Sequence, residues 1–233
     1  MNPRITGISS MATRQVLADL ARAYQARGGC EVAIESVGGL DAAKRVQAGE
    51  AFDVVFLASD AIDRLIAAGH VAEPRVDLVR SPVAIAVRAG APHPDVSSEA
   101  AVRRAVLAAR QLSYSTGPSG VHLARLFERW GIAQDIKQRI VQAPPGVPVG
   151  SLVARGDVEL GFQQLSELMH LEGIHVLGTL PEEIEYITVF SAGVCAGSRQ
   201  AAAVGAMLDF MASREGDEVK RRHGMEPALN RDA

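Results

Sequence analysis

Four short stretches of this sequence are made up of glycine, small hydroxyl residues or proline, each where a strand-like run gives way to a helix-like one. They are Ser9-Ser10 after Ile8, Gly38-Gly39 after Val37, Thr116 to Gly120 within Tyr114-Ser-Thr-Gly-Pro-Ser-Gly-Val121, and Pro145-Gly146-Val147-Pro148. The helical patterns they open are Met11 to Arg27, Leu40 to Ala48, Val121 to Gly131 and Val149 to Arg155. The first N–H groups of a helix lack partners within it and lie at its positive end. Such a junction therefore holds an anion without a charged side chain. The expected chemistry is anion binding by neutral donors, with the four junctions converging on one small ligand. Gln163-Gln164 ends another strand-like segment and adds two amides that donate and accept. Successive strand residues face opposite ways, and one of the two is expected to face the ligand. The plain alternative for every junction is a tight turn with a helix cap.

Proton transfer at the same place would need a titratable group at the edge of a junction. His122, Asp41 and Glu35 are the candidates, and an imidazole titrating near neutrality suits the task best. Their ordinary roles are packing for His122 and solvated charge for Glu35, Asp41 and nearby Lys44. Ser119 is not the serine of a Gly-x-Ser-x-Gly elbow, because Gly120 follows it directly, so a hydrolase is disfavoured. His170 and His175 form no ligand spacing with an acidic partner, and no metal or other cofactor is called for.

The bulk properties agree. A chain of 233 residues, 48% hydrophobic, suits one large or two medium α/β domains with a real core. Aromatic residues make up only 4%, which argues against a stacking site, and a net charge of −3 disfavours a nucleic-acid surface. Lys220-Arg-Arg222 reads as a solvated helix face. Cys30 and Cys195 are not in a CxxC pair, and a disulfide between them is left open. No apolar run is long enough to cross a membrane, so no direct membrane insertion is expected. Met1-Asn-Pro-Arg-Ile shows no apolar signal core, which points to a cytoplasmic location for the chain as it stands, or a periplasmic one if a leader has been removed. A ligand-sensing module detached from a DNA-binding part is disfavoured by the lack of a helix-turn-helix pattern.

The elements that must position these groups alternate between β and α. Strand patterns fall at Arg4 to Ile8, Cys30 to Val37, Asp53 to Ala58, Gln111 to Ser113, Arg139 to Ala143, Leu160 to Gln164 and His175 to Leu180. Ser59 or Asp60 is expected to cap one helix and Ser97 or Ser98 another. Two longer extended runs stand out: Val76 to Arg88, with Pro82 inside it, and Tyr186 to Ala196. Proline is poorly tolerated in a central strand, so the first is read as a strand crossing between domains, and the second, likewise long and extended, as the return crossing. The expected fold is α/β, with two doubly wound parallel-sheet lobes joined by a two-strand hinge and a cleft between them. Lobe 1 would comprise residues 1–80 and 190–233, and lobe 2 residues 81–189.

The segments Gly7 to Ser10, Arg45 to Gly49, Phe52 to Asp60, Gly117 to Gly120 and Leu160 to Gln164 together resemble the molybdate-binding proteins of bacterial uptake systems. That resemblance covers nearly the whole chain. It implies the type 2 periplasmic binding-protein fold, closure on ligand by hinge motion and an ABC permease as partner. It also implies an oxyanion held by neutral groups: a serine matching Ser10, backbone donors matching Ser119 and Gly146 or Val147, a second serine and a tyrosine. The second serine falls on Gly39 and the tyrosine near Gln164, so two hydroxyls of the pattern are absent. This leaves room for a bulkier polar anion such as a carboxylate. The same fold group also resembles aconitate isomerase, which moves a double bond in a tricarboxylic acid.

Overall fold

The computed structural model describes residues 4–144 and 146–228. Residues 1–3, named above with the N-terminus, and Pro145, named with the fourth junction, lie outside them. The chain divides into two compact units at Ser81/Pro82 and again at Thr188/Val189. The first unit is therefore built from both ends of the chain and the second from its middle.

In the first unit β1 (Arg4–Ser10) pairs in parallel with β2 (Glu31–Val37), from Arg4 opposite Glu31 to Ser10 opposite Val37. On its other side β1 pairs in parallel with β3 (Val54–Ala58). Between these strands run α1 (Arg14–Ala26) and α2 (Gly39–Gln47), and α3 (Ser59–Ala67) follows β3. Every residue of β3 is buried, as a central strand covered on both faces requires. Val54, Phe56 and Ala58 join the α1 side of the core, while Val55 and Leu57 join Ala42, Val46, Ile62 and Leu65 of α2 and α3. α3 starts at Ser59 without a loop, so the capping position falls on Ala58 and neither Ser59 nor Asp60 caps it. Asp60 instead pairs with Arg64 one turn on, at 2.9 Å.

β4 (Val76–Arg88) carries the chain into the second unit. Its early residues Val79 and Arg80 pair within the first unit, and Val83 to Ala86 pair within the second. Pro82, which has no N–H to give a ladder, stands between the two sets. There follow α4 (Glu99–Ala108), capped by the Ser98 hydroxyl on the Ala101 N–H, then β5 (Leu112–Tyr114) and α5 (Pro118–Arg129). α5 begins three residues before the expected Val121, with Pro118 in the first turn, where its missing N–H costs nothing. After α6 (Ala133–Ile136) the strand expected at Arg139 to Ala143 does not form. Lys137–Arg139 is a 3-10 turn, and only Ile140 makes a bridge, to Leu112. The Arg139 guanidinium is drawn to the carbonyls of Leu107 and Ala109 at the end of α4, 2.9 and 2.8 Å away.

Next come α7 (Val149–Arg155), β6 (Leu160–Gln164), α8 (Leu165–Leu168), β7 (Ile174–Thr179) and β8 (Ile187–Val194). β5 and β6 are parallel; β4 lies antiparallel to both β6 and β7. The core of this unit gathers Val83, Ile85, Leu123, Phe127 and Phe162, with Tyr114 and Trp130 against it. Burying Phe162 completely contributes about 2–3 kcal/mol. β8 returns to the first unit antiparallel to β3, and α9 (Ala201–Ala212), α10 (Asp217–Arg222) and β9 (Glu226–Pro227) close that unit. Both sheets are thus mixed: β1–β2–β3 and β5–β6 are parallel, and the two crossing strands enter antiparallel.

Asp53 fastens the first unit. Its carboxylate accepts from the Thr6 N–H and hydroxyl, the Ser198 hydroxyl and the Gln200 amide, at 2.7–3.2 Å. Burial opposes its ionisation, but the four donors outweigh it and hold the carboxyl below its ordinary value. Cys30 and Cys195 are both free and buried.

Candidate functional site

Among the described residues the candidate groups gather at two places, one in each unit. In the first unit, parallel register sets the ends of β1 and β2 side by side, so Ser9-Ser10 and Val37-Gly38-Gly39 are neighbours. A Cβ added to Gly39 would meet the Ser10 Cβ at 3.7 Å, an ordinary contact. Gly38 is the capping residue of α2 and has no side chain to offer, so no side chain caps the first N–H groups of that helix. Ser9 is fully buried and its hydroxyl is committed, 2.8 Å from that of Ser36. Among the described residues the Ser10 hydroxyl has only a long contact, 3.5 Å to Thr13. Ser10, Gly38 and Gly39 are therefore the ligand-facing candidates of this unit, and Ser9 supports them.

In the second unit, Gly117 caps α5, again without a side-chain cap. Ser119 is buried in the first turn with its hydroxyl 2.8 Å from that of Ser115, while Thr116 is exposed. Register pairs Tyr114 with Phe162, so the turn after Tyr114 runs beside Gln163 and Gln164 at the ends of β5 and β6. The two glutamines, each 4% exposed, use opposite faces of β6. Gln163 Oε1 accepts from the Gly150 N–H of α7 at 3.2 Å, and its Nε2 donates to Glu167 at 2.9 Å. Gln164 Nε2 donates to the Thr188 hydroxyl at 2.7 Å, and its buried Oε1 has no partner among the described residues. The Thr188 hydroxyl can donate as well as accept, so the Gln164 amide can turn over and present a donor instead.

The fourth junction is less open. The Val147 N–H closes a turn on the Pro144 carbonyl at 3.0 Å, and Gly146 stands exposed in the left-handed region at φ 75°. α7 has only seven residues, and its Gly150 N–H belongs to Gln163. The main donors of this unit are those of α5.

The three proton-carrier candidates separate. Glu35 is a surface partner of Arg45, at 2.5 and 3.1 Å, and that hydrogen-bonded pair lowers its carboxyl from the ordinary value. Asp41 is exposed in the first turn of α2. His122 is stacked on Tyr186, ring centroids 4.5 Å apart, and hydrogen-bonds the Ile184 backbone. Burial is the main cause of its lowered value, against the Ile184 bond that raises it. Among the described residues His122 Nε2 is buried without a hydrogen-bond partner.

Sequence reasoning missed Glu167, Ser115 and Thr188. The signal for the first two was a four-residue spacing, Gln163 to Glu167 and Ser115 to Ser119, which brings side chains together wherever a helical turn begins. Thr188 had no local signal; the crossing strand brings it to Gln164. Among the described residues no cluster of three or more His, Cys, Asp or Glu could hold a metal. No described helix is long and apolar enough to cross a membrane.

Two α/β units between which the chain crosses twice, with uncapped helix starts at the ends of parallel strands, define the periplasmic binding-protein class of fold. The chain belongs to the bacterial extracellular solute-binding protein family, whose model matches residues 5–226. It is 36% identical over 232 residues to an aconitate isomerase from Pseudomonas sp., covering 96% of this chain and 87% of that one. Among solved structures it is similar to the periplasmic molybdate-binding protein of Azotobacter vinelandii, at TM-score 0.80 and 17% identity over 97% of this chain and 100% of the other. It is similar also to the sulfate-binding protein SubI of Mycobacterium tuberculosis, at TM-score 0.80 and 18% identity over 97% and 87%. The tungstate-binding protein TupA of Desulfovibrio alaskensis gives 0.71 and 15% over 98% and 100%. At these identities the structural likeness is one of fold.

Proposed function

We propose that this solute-binding protein binds a small carboxylate anion of the di- or tricarboxylate kind through its uncapped helix starts. The observation that carries the reading is that α2 and α5 both have glycine as their capping residue, without a side-chain cap, at the carboxyl end of a parallel strand. Neutral donors suit an anion that must come and go, because the empty site then leaves no buried charge without a partner. Two departures favour carboxylate over a tetrahedral oxyanion: glycine stands at 39 and an amide at 164, where the molybdate-binding pattern has hydroxyls. The relative named aconitate isomerase points the same way. On this reading the partner is an ABC permease. Titration calorimetry with molybdate, tungstate, sulfate and a series of di- and tricarboxylates tests it. Heat with a tricarboxylate supports the reading; heat with the inorganic oxyanions alone overturns the choice of ligand.

A second reading has specific support: the same donors serve an isomerase that moves the double bond of aconitate. A base takes the proton of a C–H beside a carboxylate, the negative charge left behind spreads over the three-carbon allylic system under the helix donors, and the protonated base returns a proton to the other end. The relative's name and the bare Nε2 of His122 favour it. That nitrogen is covered, so His122 must turn off Tyr186 to act. Following trans-aconitate by NMR tests this reading, and no interconversion at high protein concentration rejects it.

A further inference from the structure

The start of α2 is not made of donors alone. Asp41 stands in its first turn, and Oδ2 lies 3.4 Å from the place that a Cβ on the capping residue Gly38 would take. The carboxylate therefore leans back over the first N–H groups of the helix. Among the described residues Asp41 makes no hydrogen bond and no ion pair. Lys44, one turn on, does not pair with it, and Arg45 is spent on Glu35 and Glu50. An acidic residue in a first turn steadies the helix dipole, but that role asks only for a charge nearby. Here the carboxylate shares the helix start with a buried hydroxyl. Ser10 is 7% exposed, its Oγ reaches Thr13 only at 3.5 Å, and its Cβ lies 3.7 Å from a Cβ placed on Gly39.

Three kinds of group thus meet at one place: backbone N–H donors, a hydroxyl that gives and accepts, and a carboxylate that only accepts. A ligand carboxylate arriving there is repelled by Asp41. At about 5 Å through water one unit charge costs about fourfold in affinity, and more as water leaves. A ligand hydroxyl suits all three groups. Its oxygen accepts from the helix N–H, and its proton makes a charge-assisted bond to Asp41. The first turn of α5 holds no acidic residue, so a carboxylate is received at that start without the repulsion. We propose that Asp41 is a specificity-determining residue, and that the ligand is a hydroxy-polycarboxylate whose hydroxyl is received at the start of α2. This rests on the carboxylate-binding reading above and narrows it. A polycarboxylate without a hydroxyl leaves Asp41 facing a like charge or a carbon that cannot pair with it, which selects against that ligand.

The test is titration calorimetry at pH 7 with two matched pairs, citrate against tricarballylate and malate against succinate. The members of each pair differ by one hydroxyl. The natural protein should bind the hydroxylated member roughly tenfold tighter. Asp41→Ala removes charge and acceptor together, and the preference should fall to within about threefold, chiefly because tricarballylate and succinate gain. Asp41→Asn keeps an acceptor without the charge and should fall between the two. A role in steadying α2 alone would weaken all four ligands together and leave both ratios unchanged. The ratios in the natural protein need no variant to fold. Equal affinity within the pairs, preference for the member lacking the hydroxyl, or a preference unchanged in Asp41→Ala overturns the proposal alone. Binding of trans-aconitate with none of the four does the same. No binding of any of these five rejects the underlying reading instead.

Discussion

Gly120 and Ser115 are matched so closely that no other residue fits at 120: a Cβ there would lie 1.6 Å from the Ser115 carbonyl oxygen. The obstacle is backbone, which a rotamer change cannot clear. That contact fixes the turn from Ser115 to Gly117 against the first turn of α5, with the Ser115 and Ser119 hydroxyls 2.8 Å apart above it. Replacing Gly120 by alanine must push the turn off the helix. The expected outcome is a loss of at least about 1–3 kcal/mol from the unfolding transition that reports the middle unit, as overpacking typically costs. Anion affinity should fall with it. Urea unfolding and titration calorimetry on Gly120→Ala check both. An unchanged midpoint together with unchanged affinity would show that the turn does not position ligand donors.

Glu167 gives a pH-dependent stability of definite sign. Its carboxyl is raised from 4.5 to about 7 in the folded chain, so the folded state binds the proton more tightly than the unfolded state. Stability from this group is therefore greatest below about pH 4.5 and is lost as pH rises through about 7. The full swing is on the order of 3 kcal/mol. Glu167→Gln keeps the bond from Gln163 and removes the cost of charging. The variant should melt higher than the natural protein at pH 8, and the difference should shrink toward pH 5. Thermal melts across that range check it.

Much of this arrangement was legible in the sequence, and the rest was not, for physical reasons. The span of β4 could be read to the residue because thirteen extended positions with Pro82 among them have no other economical meaning. The first three junctions were legible because Gly and Ser at a change of period leave few conformations open. The strand expected from Arg139 to Ala143 failed because a charged side chain there found the end of α4, a tertiary partner that periodicity cannot see. The roles of Ser9 and Val147 were obscured for the same reason: whether a donor is spent internally depends on what register brings beside it. Glu167 was hidden because its partial burial comes from packing and not from its neighbours in sequence.

Gly39 offers a direct handle on ligand choice. A Cβ there meets Ser10 and Leu57 at 3.7 and 3.9 Å, ordinary distances, so serine fits without strain. Gly39→Ser restores one hydroxyl of the molybdate-binding pattern beside Ser10. The expected result is a preference moved toward molybdate and away from tricarboxylates by roughly tenfold, about the worth of one hydrogen bond to a charged ligand. Competition titration of the two anions checks it, and unchanged selectivity would remove residue 39 from the site.

The measurement that tests the central claim most directly is the binding of anions to the natural protein with and without the two uncapped helix starts. Gly38→Pro removes the N–H of the α2 capping residue and stiffens that turn, and Gly117→Pro does the same at α5. The account predicts saturable one-to-one heat with a tricarboxylate for the natural protein and a tenfold or greater loss of affinity for each variant, with the fold retained by circular dichroism. Full affinity in both folded variants, or no heat with any anion in the natural protein, would contradict it.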